Sequence, residues 1–200
     1  RILIDCDGVL ANFTQACFDL IEEHTGDRHT LEEVTGWELF EAVGKPHLAA
    51  TMRERAARGG WCSQFAPMAG AQFAIRELRM RGHDVICVTT PMAVPHWSYE
   101  RTLWLQTHMG FAKEDVVFCE RKELVWGDLF IDDSLPNCEA YAGAHPQVPV
   151  FLWDAPYNRG KTTKPLVRVK SWQEVLNGVG YMEFTTKAKE LAYGREEDQG

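Results

Sequence analysis

The chain contains no Cys-x-x-Cys pair, no excess of positive charge, and no apolar run near the ~20 residues that a membrane-spanning helix needs. Each absence excludes something. Lys and Arg number 21 against 29 Asp and Glu, a net charge of −8. A polymeric nucleic acid partner, bound through basic side chains at its phosphates, is therefore not expected. No membrane partner is expected either. The six cysteines (Cys6, Cys17, Cys62, Cys87, Cys119, Cys138) fall largely in apolar runs such as DVICVTT and DVVFCERK. Without paired spacing they read as buried free thiols of a reducing compartment. No repeat or low-complexity linker interrupts the chain. No secretory signal is visible, but the first residue is Arg1 and not Met. A cytoplasmic location is the expectation, with N-terminal processing left open.

What is present is an apolar fraction of 45% with 7 Trp and 10 Phe among 200 residues, enough for a core and for pockets that stack flat ligands. Short apolar runs alternate with helical patterns, the signature of a parallel α/β sheet. The expected strands are Arg1–Asp5, Asp84–Thr89, Val116–Cys119, Leu129–Asp132 and Val148–Trp153. Phe13, Ala16, Cys17, Leu20 and Ile21 form one helical face, as do Ala71, Ala74, Ile75 and Leu78, with Gly82 ending that helix. Between Leu20 and Pro67 no strand is apparent. A capping box at Thr30–Glu33 and a helix across Leu48, Met52 and Ala56 suit a small helical cap inserted after the first strand and helix. The expected division is a discontinuous core, 1–19 and 68–200, with a cap at 20–67. A second capping box, Ser171–Glu174, opens a short helix, and the tail GREEDQG reads as frayed.

Ligands of open α/β sheets bind beyond the carboxyl ends of the strands. The first strand delivers Asp5 and Asp7 there, the second Thr89 and Thr90, the third leads to Lys122, and the fourth delivers Asp132 and Asp133. These are carboxylates suited to Mg²⁺, hydroxyls and an ammonium suited to phosphate oxygens, and a carboxylate free to attack phosphorus. A calcium loop would need Asp or Asn at position 9 and Glu at 16, where Val9 and Ala16 stand.

In that order the stretches DCDGV, the Thr of VTTP, Lys122 and IDD resemble the four motifs of the haloacid dehalogenase (HAD) superfamily. The branch most similar is the 5′(3′)-deoxyribonucleotidases. DCDGVLANF resembles their DxDGVLADF, and ICVTTPMAVPHWSYERTLWLQTHMG resembles ICTSP followed by PYEKxxWxxxxFG. ERKELVWGDLFIDDS resembles their RDK and DLLIDDR regions. The similarity runs from Arg1 to about Trp153 and is weakest in the cap.

The resemblance implies a Rossmann-like core and a Mg²⁺-dependent phosphomonoesterase acting on deoxyribonucleoside monophosphates, a small-molecule substrate. Asp5 is then the nucleophile that forms an aspartyl-phosphate. Asp7 is the general acid and base, with a pKa raised by its neighbouring carboxylates. Mg²⁺ falls to Asp5, the Asp7 carbonyl and Asp133, with Asp132 orienting them or exchanging roles with Asp133. Thr89 and Lys122 hold the phosphoryl group, helped by the backbone of Gly8 and Thr90. Phe13, Trp37 and Trp61 face the sugar and base, near Phe40 and Phe65, and an apolar wall there disfavours a 2′-hydroxyl. Ser134, Glu120 and Asn12 depart from the family pattern at positions expected to ring the pocket. A sugar-phosphate phosphatase is the alternative substrate reading, and a non-catalytic binding protein the alternative class. Trp97, Trp104 and Leu105 fit either internal packing or the face of a homodimer.

Overall fold

A computed structural model describes residues 1–160, 162 and 164–193, with side chains as far as 187. The tail GREEDQG lies outside the described residues. β1 (Ile2–Ile4) leads into α1 (Phe13–Thr25), followed by α2 (Leu39–Ala42), α3 (Leu48–Arg58) and α4 (Ala71–Met80). Then come β2 (Val85–Thr89), α5 (Trp97–Trp104), β3 (Val116–Phe118), β4 (Leu129–Asp132) and α6 (Leu135–Ala144). β5 (Val150–Trp153), β6 (Val167–Val169) and α7 (Trp172–Tyr193) complete the chain.

The six strands form one parallel sheet in the order β3-β2-β1-β4-β5-β6. Strands such as ILI and VFLW are apolar on both faces and buried along their whole length, as helix-covered parallel strands must be. Ile4 pairs with Cys87 on one side and Ile131 on the other, so Asp5 emerges one residue later beside Asp132. All five expected strands are present. β6 was not foreseen: VRV is three residues long and exposed at two of them, too short and too polar to signal itself.

α7 corrects the expected short helix: it runs 22 residues. Ser171 caps it as expected, its hydroxyl accepting from the Glu174 amide at 3.2 Å. In the fold, a Cβ on Gly178 would lie 2.6 Å from the Phe151 ring, so glycine lets the helix run on against β5.

The stretch between α1 and α4 holds helices and no strand. Its Leu48, Met52 and Ala56 share one apolar cluster with β1 and α1, so these helices pack onto the sheet. Trp97, Trp104 and Leu105 are buried in that same core, which resolves them as internal packing and not a dimer face. All six cysteines are free thiols and five are buried. Among the described residues no helix is long and apolar enough to cross a membrane.

Candidate active site

Because parallel strands end on the same edge, the polar residues after β1, β2, β3 and β4 converge. Asp5 is held by its own N–H, which donates to Ile131 O at 2.9 Å. The chain then turns: Leu10 and Ala11 N–H both donate to Cys6 O at 2.8 Å, and Gly8 takes φ = +80°. Only glycine suits that spot. A side-chain carbon on Gly8 would overlap Asp133 Oδ2 and sit 2.9 Å from its Cγ.

Lys122 is buried between two carboxylates, its Nζ 2.6 Å from Asp5 Oδ1 and 2.8 Å from Asp132 Oδ2. The two IDD carboxylates have different surroundings. Asp132 accepts from Lys122, from the Ser134 amide at 2.7 Å and from Asn137 Nδ2 at 3.2 Å. Asp133 accepts from the Tyr157 hydroxyl. Its carbonyl is anchored by Asn158 Nδ2, which also donates to Trp153 O, both at 2.7 Å. Asp5, Asp132 and Asp133 each present an oxygen within 4.8 Å of the others. An all-oxygen, multiply anionic donor set of this kind fits a hard cation.

Burial governs the proton affinities. It raises the Asp5 carboxyl to about 7, against the pull of Lys122 and with help from the Asp132 charge. Asp133 is raised well above the usual carboxylate range by burial and then by the Asp5 and Asp132 charges. Burial would lower Lys122, but Asp132 and Asp5 outweigh it and the net shift is upward. Asp7 is also raised, as expected. The cause differs: burial raises it, while Arg101 and Lys122 pull it down, and neighbouring carboxylates are not what lifts it.

A cavity of about 360 Å³ opens over this edge. Asp5, Asp7, Gly8, Thr89, Thr90, Lys122 and Asp133 line its floor, and Phe13, Trp37, Phe40, Met52, Met92 and Trp97 line its walls. The predicted phosphate, metal and acid residues are thus brought together. Three expectations change. Trp61 is not on the wall: it is buried behind Phe13, 5.9 Å away ring to ring, in an aromatic cluster with Phe65 and Trp97. Phe65 lies there too. The Gly8 N–H is committed to Ala11 O at 2.9 Å, so in this structure Gly8 offers room, not a donor. Nor do the departing positions ring this cavity, for Ser134 caps α6, Asn12 caps α1 and Glu120 is exposed.

Two site residues escaped sequence reasoning. Tyr157 lies just beyond β5, a strand whose carboxyl end was assigned no polar group. Arg101 lies inside α5 and reaches Asp7 Oδ1 at 2.6 Å, a contact made only by tertiary approach.

The model of a single family matches residues 1–185: "5' nucleotidase, deoxy (Pyrimidine), cytosolic type C protein". The chain belongs to this family. It is a hydrolase, a 5′(3′)-deoxyribonucleotidase-like phosphatase on the HAD fold. The provisionally named 5′(3′)-deoxyribonucleotidase of Bordetella pertussis is 34% identical over 184 residues, covering 90% of this chain and 97% of that one. The 5′(3′)-deoxyribonucleotidase of Bacillus subtilis is 32% identical over 107 residues, 53% of this chain and 58% of the relative. Among solved structures, CbbY from Rhodobacter sphaeroides in complex with phosphate matches with a TM-score of 0.53 at 18% identity, covering 87% and 95%. That likeness concerns the fold alone.

Proposed function

We propose that the protein dephosphorylates deoxyribonucleoside 5′(3′)-monophosphates through an aspartyl-phosphate on Asp5, with Mg²⁺ as its cation. One observation carries the reading: a single cavity joins a floor of Asp5, Asp7, Thr89, Lys122 and Asp133 to a wall of Phe13, Trp37 and Phe40. The floor suits a phosphoryl group, the wall a flat base and an apolar sugar face. In keeping with this, residues 20–67 act as the cap that reads the leaving group, and 1–19 with 68–200 form the catalytic core.

Asp5 attacks phosphorus, and the bond to the ribose oxygen breaks. Lys122, 2.6 Å from Asp5 Oδ1, offsets part of the rise in proton affinity that burial gives the nucleophile and donates to the phosphoryl oxygens together with Thr89. Removing one such donor typically costs on the order of 100-fold, about 3 kcal/mol. Asp7, raised by burial, gives its proton to the departing ribose oxygen. It then takes one from the water that opens the acyl phosphate. Thr90, exposed at the rim with its hydroxyl turned to Cys119 O, meets the sugar side.

Asp5, Asp133 and the Asp7 carbonyl are the residues that hold Mg²⁺. Asp132 already accepts from Lys122, Ser134 and Asn137, which suits a supporting role. The bound cation supplies charge neutralisation for the transferring phosphoryl group.

A sugar-phosphate specificity is disfavoured by the ring-lined wall, since sugar hydroxyls left without partners there lose their hydrogen bonds. Phosphate release with Mg²⁺ from dUMP, dTMP, UMP, dGMP and glucose 6-phosphate tests the assignment. Preference for the deoxynucleotides is expected. Turnover of glucose 6-phosphate alone would overturn the substrate class while leaving the chemistry.

A further inference from the structure

Arg101 has a side chain that none of the steps above uses. It projects from α5, has no solvent exposure, and makes one ion pair: Nη2 to Asp7 Oδ1 at 2.6 Å. The guanidinium carbon lies 4.9 Å from the Trp97 ring, 5.1 Å from Phe65 and 5.8 Å from Trp104. Its Nε and Nη1 are buried without a hydrogen-bond partner. Arg101 does not line the cavity, whereas Asp7 does, with about a quarter (26%) of its side chain open. The guanidinium therefore stands behind Asp7, out of reach of a substrate.

As a packing element this is a poor choice. A buried guanidinium with two unpartnered nitrogens and a single carboxylate partner is costly, and an apolar residue of similar length would fill an aromatic cage more stably. The arrangement makes sense as orientation. A carboxyl on a short side chain has two oxygens, and only one can be aimed at a leaving group. Oδ1 is held by a cation that is itself packed against three rings, which restrains the Asp7 carboxyl and leaves Oδ2 as the oxygen outside that ion pair.

We propose that Arg101 is the positioning residue for Asp7, fixing its carboxyl so that Oδ2 faces the departing oxygen. This rests on the reading of Asp7 as general acid and adds the device that aims it. Proper general acid catalysis contributes about 100- to 10,000-fold, and misplacement of a reacting group by about 1 Å removes up to 100-fold.

The test uses two leaving groups. The deoxyribose oxygen of dUMP needs a proton to depart, and the p-nitrophenolate of p-nitrophenyl phosphate does not. Single-turnover rates of leaving-group release, which report the attack of Asp5 before Asp7 acts as base, are measured for both with Mg²⁺ in the wild type, Asp7→Asn, Arg101→Met, Arg101→Leu and Arg101→Lys. Two apolar variants guard against one failing to fold, and p-nitrophenolate release in each preparation reports an intact floor. The expected result is a loss of about 10-fold or more in release from dUMP, against less than about threefold from p-nitrophenyl phosphate, in the apolar variants. Arg101→Lys, which keeps a cation in the cage, should return most of the dUMP rate. Equal losses on both substrates, with Asp7→Asn still selective for dUMP, would overturn the positioning role and leave Asp7 as the acid. Loss of selectivity in Asp7→Asn itself would remove the acid and this inference together.

Discussion

Gly8→Ala is the smallest change that separates the floor of the site from the rest of the fold. Two effects add. Gly8 sits at φ = +80°, where an L-residue carries roughly 1–2 kcal/mol of strain. The new methyl would also overlap Asp133 Oδ2 and stand 2.9 Å from its Cγ and 3.2 Å from the Tyr157 hydroxyl. Asp133 is braced from behind by the Tyr157 hydroxyl and by Asn158 on its carbonyl, so it must yield by the order of 1 Å, at the atom proposed to bind the cation. Strain alone should lower Tm by about 2–8 °C for a domain of this size. Displacement of a ligand oxygen should weaken Mg²⁺ binding by roughly 10-fold or more and lower kcat by about 100-fold. Calorimetric Mg²⁺ titration and a melting curve on the same sample provide both readings. Mg²⁺ affinity unchanged while Tm falls would refute the placement of the cation against Gly8 and Asp133.

Asp132 and Asp133 should respond in opposite ways. Asp132→Ala breaks a buried ion pair and frees Ser134 and Asn137 donors, so the metal-free protein should lose about 3 kcal/mol in denaturant unfolding. Asp133→Asn removes a crowded charge, so metal-free Tm should hold or rise while Mg²⁺ binding is lost. The wall aromatics divide likewise. Trp37 is 60% exposed on the cavity wall, and Trp37→Ala should raise KM for dUMP about 5- to 50-fold, with Tm unchanged, if stacking holds the base. Trp61→Ala should instead cost about 3–5 kcal/mol of stability by emptying the core. In metal-free protein the Asp5 carboxyl stands near 7 against 3.8 when unperturbed. The folded state therefore holds a proton that the unfolded chain has released. That contribution is full below about pH 3.8 and lost as pH rises through 7, roughly 4 kcal/mol in all. Compared with Asp5→Asn, metal-free protein should weaken from pH 5 to pH 8, and Mg²⁺ should raise Tm far more at pH 8. Equal Mg²⁺ shifts at both values would contradict this.

The parts of the site legible in the sequence were those set by a strand and its end. A parallel sheet carries every strand to the same edge, so DCDG, VTTP and IDDS could be placed together without coordinates. Lys122 followed for the same reason. What could not be read was contact made sideways by elements distant in the chain. Arg101 is 94 residues from Asp7, and Tyr157 reaches Asp133 from the far side of β5. Trp61 illustrates the opposite error: the family resemblance puts it beside the sugar and base, but its ring turns inward against Phe65 at 4.8 Å. Aromatic composition indicated that a ring-rich region exists, and only packing decides which rings face the cavity. β6 and the length of α7 were missed because VRV is brief and exposed at two of its three residues, and because α7 is extended by packing against β5, where Gly178 meets the Phe151 ring.

The proposed mechanism passes the phosphoryl group covalently through Asp5. The most direct measurement is to quench the enzyme with borohydride during turnover of dUMP and to map the reduced residue by peptide mass spectrometry. An acyl phosphate at Asp5 would be reduced to homoserine at that position, only with substrate present and not in Asp5→Asn or in substrate-free controls. No reduction at position 5, together with inversion of configuration at phosphorus in a chiral phosphate ester, would mean that water attacks directly and that Asp5 is not the nucleophile.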